Sequence, residues 1–182
     1  MRKDLGKKTI IMPMPVFIVS TFNEDNSANA MNAAWGGVYD YNKIMISLSK
    51  HKTTDNLEKR KAFCVSLANE KLVKESDYFG LVSGDKVQKL AKTGLKVEKS
   101  KYVDAPIIID YPLTFECEVE SFIDGVLIGN IINVSADSNY VDEKGNIDID
   151  AMKLITYDPI NNEYRLIGKS IAKAFEIGKS IK

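Results

Sequence analysis

Charge of one sign is not in excess in this chain, arginine is scarce, and no apolar run approaches the length of a membrane span. Its 25 basic and 25 acidic residues give a formal net charge of zero, which removes the surplus of Lys and Arg that non-specific nucleic-acid binding requires. Arg2, Arg60 and Arg165 are the only arginines, so the clusters that read base edges bidentately are missing too, and no nucleic-acid partner is expected. Histidine occurs once, at His51, and cysteine twice, at Cys64 and Cys117. With no CxxC and no neighbouring His, the two cysteines read as buried thiols in a reducing compartment rather than a disulfide or a metal site. The charged start, Met1–Lys8, leads into a short apolar segment broken by Pro13 and Pro15. It is neither a signal peptide nor a membrane span, which points to a cytoplasmic protein without a membrane partner. P-loop, HExxH and GxSxG motifs are absent, as is a GxGxxG run opening a helix.

What is present is an ordinary globular composition, 45% hydrophobic and 27% charged over 182 residues, enough for one domain with a sizeable core, expected to occupy 1–182. Strand patterns dominate. Pro15–Thr21, Lys43–Ser49 and Phe63–Leu67 are β-branched and aromatic, and Leu113–Ile123 with Val126–Val134 flank Asp124-Gly125, the strongest short hairpin signal in the chain. Short strands are expected at Leu154–Tyr157 and Tyr164–Ile167. Helical spacing is weaker: Thr54–Arg60 with Thr53 or Thr54 as the cap, Asn69–Phe79 ending at Gly80, Asp85–Lys92 ending at Thr93-Gly94, and an amphipathic helix over Lys169–Ile177. A mostly antiparallel chain of six or more strands closes most easily as a small barrel, because closure removes exposed edges. The expected fold is mainly β, a β-barrel with short peripheral helices.

Two stretches carry candidate chemistry. In Asn29-Ala30-Met31-Asn32-Ala33-Ala34-Trp35 the alanines leave backbone uncovered while the two asparagines supply amide donors and acceptors, so a flat heterocycle could approach. The alternative is a tight turn with Trp35, the only tryptophan, as a core plug. In Ser47-Leu48-Ser49-Lys50-His51-Lys52-Thr53-Thr54-Asp55-Asn56 a strand ends in cationic and hydroxyl side chains just before a helix start, a combination that holds phosphate. Here Lys52 can neutralise the anion, and Ser49, Thr53 and Asn56 can donate to its oxygens. The alternative is a solvated loop with an ordinary helix cap, and His51 reads as exposed or as a minor phosphate contact.

These stretches, together with Pro13-x-Pro15, the Ile18-Val-Ser-Thr21 strand, Ile46-Ser-Leu-x-x-His51-x-Thr53-x-x-Asn56, Lys89-x-x-Lys-Thr-Gly-Leu95, Tyr164-Arg-Leu-Ile-Gly168 and Ala174-Phe-x-x-Gly178-Lys, resemble the flavoredoxin-like branch of the flavin-reductase-like FMN-binding proteins. The resemblance lies in the order of the motifs and spans nearly the whole chain. It implies an FMN-binding split β-barrel in which two subunits pair as a homodimer with the flavin near their interface. It implies flavin contacts from Asn29, Ala30, Met31, Asn32, Ala33, Ala34, Trp35, Ser47, Leu48, Ser49, Lys52, Thr53 and Asn56, from Lys89 at the pyrimidine edge or phosphate, and from Tyr164 over the ring. Lys89 also reads as one exposed lysine of a Lys-rich helix, and Tyr164 as a strand core residue. Some relatives carry a histidine in the segment equivalent to Asp124–Gly129, where this chain has none.

The implied function is an FMN-binding oxidoreductase, a flavin reductase or a flavoredoxin-like electron-transfer protein. Its flavin would take hydride or electrons and pass them to a small-molecule acceptor or a redox protein, so no catalytic side chain and no metal are needed. Without a Rossmann fold, NADH or NADPH would have to dock transiently. The other reading is a non-catalytic flavin-binding or sensing module that acts through a protein partner.

Overall fold

The structure, a computed structural model, describes residues 1–181; Lys182, the last position of the expected domain, lies outside the described residues. After an exposed N-terminal segment come β1 (Met14–Pro15), β2 (Phe17–Phe22), β3 (Ala28–Ala33), β4 (Gly36–Asp40), β5 (Lys43–Ser47), α1 (Lys52–Arg60) and β6 (Ala62–Leu67). Then follow α2 (Val73–Leu81), α3 (Lys89–Thr93), β7 (Val97–Lys99), β8 (Pro106–Ile108), β9 (Leu113–Ile123) and β10 (Val126–Ala136). The chain closes with α4 (Ile149–Met152), β11 (Ile155–Asp158) and β12 (Glu163–Leu166).

Seven strands form one antiparallel sheet in the order β3-β2-β6-β9-β10-β5-β4. The sheet curls around Phe17, Val19, Ile46, Phe63, Val65 and Leu127. On the other face Val16, Ile18, Ala30, Phe79, Leu90 and Ile108 form a second cluster under α2, α3 and β8. The strand period of two explains the division: Phe17 and Val19 enter the inner cluster while Val16 and Ile18 enter the outer one, so β2 reads as a continuous apolar run because both its faces are covered. Each fully buried side chain of this size stabilises the fold by about 1.5–3 kcal/mol.

The hairpin at Asp124-Gly125 forms as expected, with φ of 51° and 79° at its two central residues, the left-handed pair that matches strand twist. Its tip docks on the end of β5, where Leu48 N donates to Gly125 O at 2.7 Å. That contact fixes where the 48–51 segment leaves the sheet.

Several sequence expectations give way. Gly80 does not stop its helix: α2 runs on to Leu81, since an interior glycine costs only about 1 kcal/mol and the buried Phe79 anchors the last turn. The helix expected over Asp85–Lys92 begins at Lys89, because Ser83 draws residues 85–87 into a turn and Gln88 has non-helical backbone angles. No α-helix forms over Lys169–Ile177; a 3-10 turn covers Ile177–Ser180 instead. Ile171 and Phe175 are 100% and 95% exposed, and an amphipathic helix this short does not persist without a surface for its apolar face. Four strands have no counterpart among those expected: the two-residue β1, β4 behind its Gly36-Gly37 pair, and the three-residue β7 and β8. No helix among the described residues is long and apolar enough to cross a membrane.

Candidate functional site

A cleft of about 270 Å³ opens between edge strand β3, the N-terminus of α1 and the 79–84 segment that ends α2. Asn29, Met31 and Asn32 supply one wall, His51, Lys52 and Thr53 the second, and Phe79 to Gly84 with Lys89 the third.

The first two walls are tied together. Asn29 Nδ2 donates to Thr53 Oγ1 at 2.8 Å, and both residues are buried. The cap of α1 is made by Thr54 rather than Thr53: Thr54 Oγ1 accepts from His51 N at 3.0 Å and donates to His51 O at 2.7 Å. Thr53 is thereby released to face the cleft. In the first turn Thr54 N and Asp55 N donate to His51 O at 2.9 and 3.3 Å, which leaves the N–H groups of Lys52 and Thr53, two residues that line the cleft, at the positive end of the helix dipole.

The third wall makes close contact with the first. A Cβ on Gly84 would lie 2.3 Å from Asn29 Oδ1, so any larger residue there must displace the Asn29 amide. Lys89 is 5% exposed, and its Nζ donates to Phe79 O at 3.0 Å. Burial pushes its ammonium down to about 8, with nearby Asp85 opposing the shift. None of the ion pairs among the described residues includes Lys89. A buried ammonium without a carboxylate is costly and suits an anionic ligand.

Thus Asn29, Met31, Asn32, Lys52, Thr53 and Lys89, drawn from three distant parts of the sequence, meet at one opening. The other expected contacts sit elsewhere. Ala30 and Ala33 are buried on opposite faces of β3, and Leu48 is in the inner core. Ala34 is partly buried, and Ser47 and Ser49 are exposed. Trp35 is 57% exposed, so it is not a core plug. Asn56 is spent on the β2–β3 turn, donating to Thr21 Oγ1 at 3.0 Å and Asn23 Oδ1 at 2.8 Å. Tyr164 stands behind Asn32 and donates to Asp77 Oδ1 at 2.9 Å; burial and this carboxylate raise its hydroxyl to about 12. Sequence reasoning missed the Leu81–Gly84 wall. Its signal is the pair Gly80 and Gly84 in Phe-Gly-Leu-Val-Ser-Gly, of which the sequence reading uses only Gly80, as a helix stop.

These groups fit a phosphorylated heterocycle: two ammoniums and a helix N-terminus for the anion, amides for ring edges, and Met31, Phe79 and Leu81 as apolar walls. The volume takes part of a mononucleotide, and the remainder would have to lie over the adjoining surface.

The family model described as "Flavin reductase like domain" matches residues 9–155. The structure of flavoredoxin of Desulfovibrio vulgaris (Miyazaki F) has a TM-score of 0.94 to this chain at 33% identity, covering 98% of this chain and 100% of that one. Flavoredoxin from Methanosarcina acetivorans has a TM-score of 0.88 at 26% identity, with both chains fully covered. An uncharacterized protein of Aquifex aeolicus (strain VF5) is 27% identical over 178 residues, 91% of this chain and 87% of that protein. The curled sheet is a split β-barrel with peripheral short helices.

Proposed function

Since this chain belongs to the flavin reductase-like family, we propose that it is an FMN-binding oxidoreductase whose flavin seat includes the cleft between β3, α1 and the 79–84 segment. The observation that carries the reading is the buried Lys89, which forms no salt bridge among the described residues and lines the same opening as Lys52 and Thr53 at the N-terminus of α1. Bound FMN supplies the redox chemistry, exchanging a hydride or electrons with a donor and an acceptor. The chain's own work is positional. Lys52, Thr53 and the first turn of α1 hold the phosphate, Asn29 and Asn32 present amides to the ring, and Met31 with Phe79 keeps water from one side.

Residues 1–182 act as a single domain in this account, working in a reducing compartment where the buried Cys64 and Cys117 stay free. A second copy pairs with the first through exposed apolar residues such as Trp35, Val38 and Tyr39. The paired surface extends a cleft that is small for a whole mononucleotide. NADH or NADPH docks transiently on the ring, or a redox protein supplies the electrons.

Titration with FMN tests the seat. Wild type binds, and Lys52→Ala and Thr53→Val each weaken binding by tenfold or more with little change in ligand-free melting temperature. Equal binding by all three proteins contradicts it. Anaerobic mixing of the FMN-loaded protein with NADH and NADPH then separates an oxidoreductase from a flavin-storing module: bleaching by either nicotinamide supports the enzyme.

A further inference from the structure

Asn32 has its amide orientation imposed by two neighbours. Its Nδ2 lies 2.9 Å from the backbone carbonyl oxygen of Ser76 and, in a longer and weaker contact, 3.4 Å from the Tyr164 hydroxyl. A carbonyl can only accept. Tyr164 has given its proton to Asp77 Oδ1 at 2.9 Å, so toward Asn32 it too is an acceptor. Both neighbours therefore require the NH₂ end of the amide, which settles a flip that an isolated asparagine leaves open. The other end, Oδ1, accepts no hydrogen bond from the described residues and is not a buried unsatisfied atom; the opening that Asn32 borders is the cleft.

We propose that Asn32 is the specificity-determining acceptor of the cleft, taking the single ring N–H of oxidised flavin at N3, and that Asp77 is a positioning residue that holds this orientation through Tyr164. The inference rests on the flavin seat proposed above. Oxidised isoalloxazine offers acceptors at N1, O2, O4 and N5 and one ring donor, at N3. Lys52 and Lys89 can only donate, so they serve the acceptors and leave the N–H to another group. The Asn29 amide is already tied to α1, its Nδ2 donating to Thr53 Oγ1 at 2.8 Å. A site built around a required N–H rejects an analogue that lacks it, because the acceptor is then left unpaired. The route through Asp77 accounts for a carboxylate on α2 bonded to a tyrosine on β12, with neither residue lining the opening.

The experiment compares FMN with its N3-methyl analogue. Wild type is expected to prefer FMN by tenfold or more. Asn32→Ala abolishes the preference while keeping room for the methyl group, Asp77→Ala and Tyr164→Phe reduce it severalfold, and Asp77→Asn, which can still accept from Tyr164, retains it. Equal binding of the two flavins by wild type, or a full preference surviving in Asp77→Ala, overturns the proposal. The ligand-free protein supplies a second readout. The Asn32 side-chain NH₂ should give a slowly exchanging pair of NMR signals whose exchange quickens in Asp77→Ala but not in Asp77→Asn. Failure of wild type to bind FMN sinks the flavin seat and the N3 assignment together, whereas unchanged exchange in Asp77→Ala sinks only the positioning of Asn32.

Discussion

Lys89 Nζ donates to the main-chain oxygen of Phe79 across 3.0 Å, and this carbonyl takes the place that a carboxylate would fill beside most buried ammoniums. The fold keeps a cation in a poorly solvated position next to the cleft, which costs stability when the cleft is empty and favours an anion when one arrives.

The first consequence is a pH dependence whose sign follows from the depressed pKa. Free lysine titrates at 10.5 and Lys89 in the folded, ligand-free protein at about 8. Between those values the unfolded chain binds more protons than the native one, so this group makes stability rise with pH from about 8 to 10.5. Binding of an anion restores the proton, so affinity for FMN should fall above pH 8, by at most about tenfold per unit. Binding titrations at pH 7, 8 and 9, set beside Lys89→Arg, which stays charged throughout, check both directions.

Lys89→Met should separate folding from binding. Removing a buried charge that has no salt-bridge partner raises the stability of the ligand-free protein by roughly 1–3 kcal/mol, or about 2–12 °C in Tm for a chain of this size. FMN affinity falls by tenfold or more at pH 7. A variant that loses stability instead would show that the ammonium is a structural strut.

Asn29 and Asn56 looked alike in the sequence and differ in the fold. Asn56→Ala leaves the β2–β3 turn without its two hydrogen bonds and should cost about 1–3 kcal/mol of stability with FMN affinity changed less than threefold. Asn29→Ala unties β3 from α1 and should weaken FMN at least tenfold. Thermal melts and fluorescence titrations of both variants distinguish the roles.

Gly84→Ala drives a methyl group into Asn29, since its Cβ would lie 2.3 Å from Asn29 Oδ1. Overpacking of this kind costs about 1–3 kcal/mol. Here the displaced groups line the cleft, so binding is lost along with stability. Gly129→Ala, whose Cβ would meet Phe63 Cζ at 2.3 Å in the inner core, should cost a similar amount while sparing the affinity of the protein that remains folded. Chemical denaturation and FMN binding, measured together, separate the two glycines.

Much of this was legible from local pattern. The strands β2, β5, β6, β9 and β10 and the Asp124-Gly125 turn follow from β-branched runs and turn chemistry, and the two walls made by Asn29–Asn32 and His51–Thr53 follow from small and cationic residues in order. The Leu81–Gly84 wall did not, because its role depends on how closely a backbone passes Asn29, a contact between segments with no sequence proximity. The expected helix over Lys169–Ile177 fails for the opposite reason: its apolar spacing is real, yet this chain offers no surface for Ile171 and Phe175 to cover. Tyr164 was placed near the ring by family resemblance, and the structure gives it Asp77 and Asn32 as partners, which periodicity cannot foretell.

The most direct measurement is the visible spectrum of the protein purified without added cofactor, with mass identification of any chromophore released on denaturation and a titration with FMN if none is released. A yellow protein that releases FMN, or a colourless one that takes up added FMN and loses that ability in Lys52→Ala, is the predicted result. A colourless protein that binds no FMN at any concentration tested contradicts the account.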